Sequence, residues 1–105
     1  MSELAPAGAT GGDAYREFLR APSMSAGLYT LPAGATDLQK PHAEDELYYV
    51  VEGHGALRLE DEDVPVGPGS LVFVGARKRH HFHTIAETLR VLVVFSPPER
   101  AERPV

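Results

Sequence analysis

The chain has 105 residues, 43% of them hydrophobic, which suffices for one core and leaves little room for two. It has no cysteine, so disulfides and thiolate ligands are excluded and any metal must rely on His, Asp, Glu or backbone donors. A net charge of −5, with Arg77-Lys78-Arg79 as the one basic run, argues against a nucleic-acid surface.

Met1 to Asp13 shows no basic region followed by an apolar core, so no signal peptide is expected. The longest aliphatic run, Val91 to Phe95, is far too short to cross a bilayer. Together with the missing cysteines this fits a cytoplasmic protein. Residues 1–13, rich in Ala and Gly, read as a flexible lead-in, residues 14–97 as a single domain, and residues 98–105 as a charged, flexible tail that does not pack.

The first element, Tyr15 to Arg20, fits one helical turn or a short strand, with strand the better reading. Ser23 to Leu31 follows a proline, stops at Pro32-Ala33-Gly34, and alternates as a two-sided strand does. A loop then delivers the chain to Lys40-Pro41-His42-Ala43-Glu44-Asp45-Glu46, which packs one imidazole and three carboxylates into five residues. The aromatic and β-branched run Leu47 to Val51 follows at once and reads as a buried strand, so the polar cluster stands at the strand's mouth. After Gly53-His54-Gly55, the stretch Ala56 to Glu60 alternates apolar with charged residues and predicts a separate half-buried strand. Asp61-Glu62-Asp63 reads as a solvated hairpin tip, without the length or glycine of a calcium loop. Val64 and Val66 begin a short strand ending at Gly67-Pro68-Gly69. Ser70 to Val74 reads as an apolar strand buried on both faces or nearly so, and His80 to Ile85 with Leu89 to Phe95 as a final strand pair turning at Ala86-Glu87-Thr88. Short strands with turn signals this frequent predict an all-β sandwich or closed barrel.

Two stretches of this sequence match a family in register. Gly34, five residues, Lys40-Pro41-His42, three residues, Glu46, six residues and Gly53 follow the first motif of the cupins, Gly-x5-His-x-His-x3,4-Glu-x6-Gly, with Lys40 in place of the first His. Gly69, five residues, Gly75-Ala76-Arg77, two residues, His80, three residues and Thr84 follow the second, Gly-x5-Pro-x-Gly-x2-His-x3-Asn, with Gly75, Arg77 and Thr84 in place of Pro, Gly and Asn. The chain thus resembles a small single-domain cupin over roughly residues 24–96. The resemblance implies a jelly-roll β-barrel with its site inside the mouth, often as a homodimer.

Carried over by position, the ligands of one divalent metal ion are His42, Glu46 and His80. Strand alternation agrees, since His80 and Phe82 share one face while His81 and His83 share the other. Two imidazoles and a carboxylate have the donor composition of the non-haem iron(II) facial triad, but also suit Mn, Ni, Co and Zn. Glu44 is an alternative ligand, because on a regular strand it points the same way as His42 and Glu46. Lys40 cannot coordinate while charged; inside the mouth it would pair with an anionic substrate group, in solvent it would do nothing. Glu46 and Tyr48 are the candidate catalytic groups, as base and phenol donor; Tyr48, Tyr49, Phe73 and Phe82 are otherwise core. His54, His81 and His83 are expected at the surface.

Three functions are compatible with these residues. A metal-dependent small-molecule enzyme, of dioxygenase or isomerase type, would use the open coordination positions. A binding or sensing barrel would hold a small ligand without turnover. A metal-free interaction domain is the third, in which His42 and Glu46 simply bond to each other. The fold does not choose among them.

Overall fold

The computed structural model describes residues 14–37 and 42–99. Six strands follow in order: β1 (Ala14–Ala21), β2 (Met24–Leu31), β3 (Asp45–Leu59), β4 (Glu62–Val66), β5 (Leu71–Val74) and β6 (His80–Ser96). No helix occurs among the described residues. All pairings are antiparallel, in the order β1-β2-β6-β3-β4, with β5 also pairing β3. The lead-in 1–13, Lys40 and the tail beyond Glu99 lie outside the described residues.

Two sequence expectations about strand boundaries fail for one reason. Leu47 to Val51 and Ala56 to Glu60 belong to a single strand, β3, and the expected final strand pair is one continuous strand, β6. Their ladder shifts register between Val50 and Glu52, Glu52 and His54, and His54 and Ala56, so bulges carry the pairing around a corner where a turn was expected. Gly53 makes this corner possible. Its φ is +95°, and a Cβ there would lie 2.1 Å from the Thr88 carbonyl oxygen. Only glycine allows so close an approach of β3 to β6.

The corner positions the site. Glu46 pairs with Phe95 at one end of the β3–β6 ribbon, while His80 pairs with Leu59 at the other. A straight strand would put Glu46 and Leu59 about 43 Å apart. Yet the side chains of Glu46 and His80 approach to 3.0 Å, so the ribbon is folded back upon itself. The fold buries Leu31, Tyr48, Val50, Leu57, Val66, Val74, Phe82, Ile85, Leu89, Val91, Val93 and Phe95 between its two halves.

The outer surface corrects a second group of expectations. The run Leu47 to Val51 is buried on one face only: Tyr48 and Val50 point inward, whereas Leu47, Tyr49 and Val51 are exposed. Leu71 and Phe73, expected inside a strand buried on both faces, are 63% and 60% exposed. Tyr49 and Phe73 are therefore not core residues. The alternation is that of an antiparallel sheet, whose second face the described residues leave exposed at this place.

Candidate metal centre

His42 stands just before β3, Glu46 is the second residue of β3, and His80 is the first of β6. Backbone clasps hold these segments together. The Arg77 N–H donates to the His42 carbonyl at 2.6 Å, and the Ala76 N–H donates to Asp45 Oδ1 at 2.8 Å. The loop between β5 and β6 is thereby tied to the start of β3. Arg77 and Thr84 occupy motif places where the family has Gly and Asn, and both have positive φ, 63° and 49°. The backbone keeps the left-handed shape that Gly and Asn favour, although neither residue here favours it.

One donor atom from each of His42, Glu46 and His80 lies within 4.8 Å of the others. Glu46 and His80 are buried and His42 is half-buried. His80 Nδ1 lies 2.8 Å from the Lys78 carbonyl oxygen, which can only accept, so Nδ1 carries the proton and Nε2 of the neutral ring presents a lone pair to the interior. His80 Nε2 is 3.0 Å from Glu46 Oε1. Distance alone would suggest a hydrogen bond, but the direction does not: Nε2 and both Glu46 oxygens are buried without an aligned partner. Buried polar atoms are nearly always hydrogen-bonded. Three such atoms close together beside His42 fit a bound cation, and the donor set of two imidazoles and a carboxylate fits a divalent transition metal. Burial is the largest influence on His80 and pushes its pKa down; the Glu46 carboxylate and the Lys78 carbonyl outweigh it and leave the imidazole above its ordinary value.

The family profile of the cupin domain matches residues 27–95. The chain is a cupin. An uncharacterised protein of Streptomyces coelicolor is 54% identical over 99 residues, covering 94% of both chains. The acireductone dioxygenase of Exiguobacterium sibiricum is 34% identical over 58 residues, which are 50% of this cupin and 32% of the enzyme, so this chain spans about a third of that relative's length. Among solved structures, KdgF from Halomonas sp. superposes with a TM-score of 0.79 at 23% identity, covering 89% of this chain and 84% of the other. That likeness shows the fold: a cupin jelly roll, as the motifs implied.

The remaining residues of this cupin divide clearly. Glu44 is buried, but its carboxylate is not part of the convergent group. Tyr48 is buried with its ring 6.0 Å from that of His80, so it walls the site. His81 and His54 are exposed and His83 is half-buried. His83 Nε2 lies 2.9 Å from Asp63 Oδ1, and His54 Nδ1 lies 2.7 Å from Glu87 Oε1, both on the outer surface. The hydrogen bond from His83, then Arg58, holds the Asp63 carboxyl below the usual carboxylate range.

Two residues near the site carried no sequence signal. Asp37, in the loop after β2, is buried and accepts hydrogen bonds from the Tyr29 hydroxyl and the Phe82 N–H, tying that loop to β6 two residues from His80. Glu99 belongs to the tail expected not to pack, yet it is 7% exposed, and Glu99 Oε2 lies 3.7 Å from His42 Nδ1. The reason is a backbone anchor: the Glu99 N–H donates to Ser25 Oγ at 2.9 Å, and Arg20 donates to the Glu99 carbonyl.

Proposed function

We propose that this cupin binds one divalent transition metal through His42, Glu46 and His80 and acts on a small, oxygen-rich molecule that chelates it. The observation that carries the reading is the set of buried atoms on Glu46 and His80 without an aligned hydrogen bond, grouped with a His42 nitrogen within 4.8 Å. Three protein donors leave coordination positions for a bidentate ligand. When bound, such a metal supplies Lewis acidity and, if it is redox-active, a place for O₂ to react. The chain's own residues set the conditions. Tyr48, beside His80, and Phe95, edge-on to His42, wall the site with buried aromatic surface, which lowers the local dielectric and strengthens each electrostatic contact inside. Glu46 has two oxygens, so one can ligate while the other receives a substrate proton. The partial match to acireductone dioxygenases supports an oxygenase over an isomerase.

A second copy of the chain completes this proposal. Leu47, Tyr49 and Val51 on β3 lie beside Leu71 and Phe73 on β5, in the register Leu47↔Phe73 and Tyr49↔Leu71. At about 200 Å² per large side chain, their exposed parts form a patch of roughly 500 Å². That is near the upper limit for a monomer, and with a polar rim it approaches the ~800 Å² per partner of a stable dimer. No helix among the described residues is long and apolar enough to cross a membrane. A cytoplasmic setting goes with the reading, since a chain without cysteine gains nothing from an oxidising compartment.

The test is ligand binding to Fe(II)-loaded protein, with small α-hydroxyketones and 1,2-dicarboxylates as probes, followed by oxygen uptake. Binding seen in the metal's absorption, with oxygen consumption that Glu46→Gln reduces, is the expected result. Binding without turnover would replace the enzyme reading with a small-ligand barrel. No binding by any chelating probe would overturn the substrate class.

A further inference from the structure

The segment after β6 does more than end the sheet. Ser96 Oγ donates to the Ser23 carbonyl at 3.2 Å, the Glu99 N–H donates to Ser25 Oγ at 2.9 Å, and Arg20 donates to the Glu99 carbonyl. Ser25 is fully buried, so this anchor is part of the packed structure. All these bonds use Glu99's backbone or its neighbours. The side chain is turned to His42: Glu99 Oε2 is 3.7 Å from His42 Nδ1, with the carboxylate side chain only 9% exposed. A carboxylate is not buried at so little exposure without a role for its charge.

The His42 ring is already held on two other sides. Phe95 meets it edge-on with centroids 5.1 Å apart, and the His80 ring lies 5.8 Å away. What the two rings do not fix is which nitrogen carries the proton.

We propose that Glu99 is a positioning residue of the metal centre: its carboxylate takes the Nδ1–H of His42 and so presents Nε2 as the ligand atom. The inference rests on the metal-binding reading given above. A length of 3.7 Å exceeds a hydrogen bond, and contacts of this kind around a site tighten when its ligand binds. Metal-bound histidines almost always donate their second ring N–H to a carboxylate, carbonyl or water, and loss of that partner weakens metal binding about 10- to 100-fold. The two imidazole ligands are then oriented in parallel ways, His80 by the Lys78 carbonyl and His42 by Glu99. The carboxylate arrives from the far end of the chain, which is why the motif around His42 does not contain it.

The test is Co(II) titration of the full chain and of Glu99→Ala and Glu99→Gln, reading the d–d absorption and the affinity. Both substitutions keep the backbone bonds that anchor the segment, so the fold stays intact. Glu99→Ala is expected to weaken Co(II) binding about 10- to 100-fold with the band positions unchanged, because the ligand set stays the same. Glu99→Gln, whose amide oxygen still accepts the Nδ1–H, is expected to recover part of that loss. Unchanged affinity in Glu99→Ala would overturn the proposal. Shifted bands would also overturn it, by making Glu99 a direct ligand. Failure of the unsubstituted chain to bind Co(II) would instead refute the metal-binding reading, and so is told apart from failure of the Glu99 role.

Discussion

Glu46 and Leu47 are neighbours on β3 and face opposite ways, each on the side where its chemistry is least at home. Glu46 is 2% exposed in the interior and Leu47 is 37% exposed outside. Eleven residues further along the same strand the order is the ordinary one, with Leu57 fully buried and Arg58 exposed and paired to Asp63. One strand thus carries both patterns, and the difference separates what holds the fold from what the fold is for. The far half lowers the free energy by burying apolar area. The mouth half does the reverse twice, with a carboxylate inside and an apolar patch outside; in the function proposed above, a cation within and a second copy without answer these two departures.

The largest test of this contrast removes the inner departure altogether. Replacing the pair by apolar residues of similar volume, Glu46→Met with His80→Phe, is expected to abolish metal binding while leaving the metal-free protein as stable as before or more stable by about 1–4 kcal/mol. Chemical denaturation in the presence of a chelator measures it. A double variant several kcal/mol less stable would mean that the pair serves the fold and not a ligand.

The outer departure is broken by Phe73→Asp. Light scattering is expected to show the mass fall from dimer to monomer, while the unfolding free energy of the monomer changes by only about 0.5 kcal/mol, as at other surface positions. A parent protein that is monomeric at high concentration would remove the second copy from the account.

The subtlest effect is on pH. His80 has a raised pKa in the folded chain, because Glu46 outweighs burial. Its proton therefore stabilises the metal-free fold fully below the imidazole's ordinary value of 6.5, and that contribution is lost as pH rises through the higher folded value. Metal competes for the same nitrogen, so metal affinity should rise over the interval in which the proton's contribution disappears. Melting curves in chelator, compared with His80→Gln, should converge as pH increases. Divergence would give the opposite sign for the shift.

The contrast also explains what the sequence could disclose. That His42, Glu46 and His80 come together was readable because the three residues fall at fixed distances from Gly34, Gly53 and Gly69, all three of which adopt positive φ, so local backbone geometry sets the spacing. Departures at Arg77 and Thr84 hid nothing, since their backbones take the left-handed shape anyway. The outer patch was misread because an apolar run such as Leu71 to Val74 looks the same whether its second face is covered by its own chain or left for another. The corners of β3 and β6 were misread because Gly53-His54-Gly55 and Ala86-Glu87-Thr88 are turn-like locally, and only pairing across the ribbon keeps them in strands. Glu99 and Asp37 were invisible for a different reason. Their roles come from contacts to residues distant in sequence, Glu99 to Ser25 and His42, Asp37 to Phe82, which no local pattern encodes.

The claim on which all of this turns is that Glu46 and His80, 3.0 Å apart but without an aligned hydrogen bond, are placed to hold a cation. Elemental analysis of the full chain beside His80→Ala, each incubated with Fe(II), Mn(II), Ni(II) and Zn(II) and then freed of excess, tests it most directly. The account predicts about one equivalent of metal in the parent and none in the variant. No metal in the parent, or as much in the variant, would contradict it.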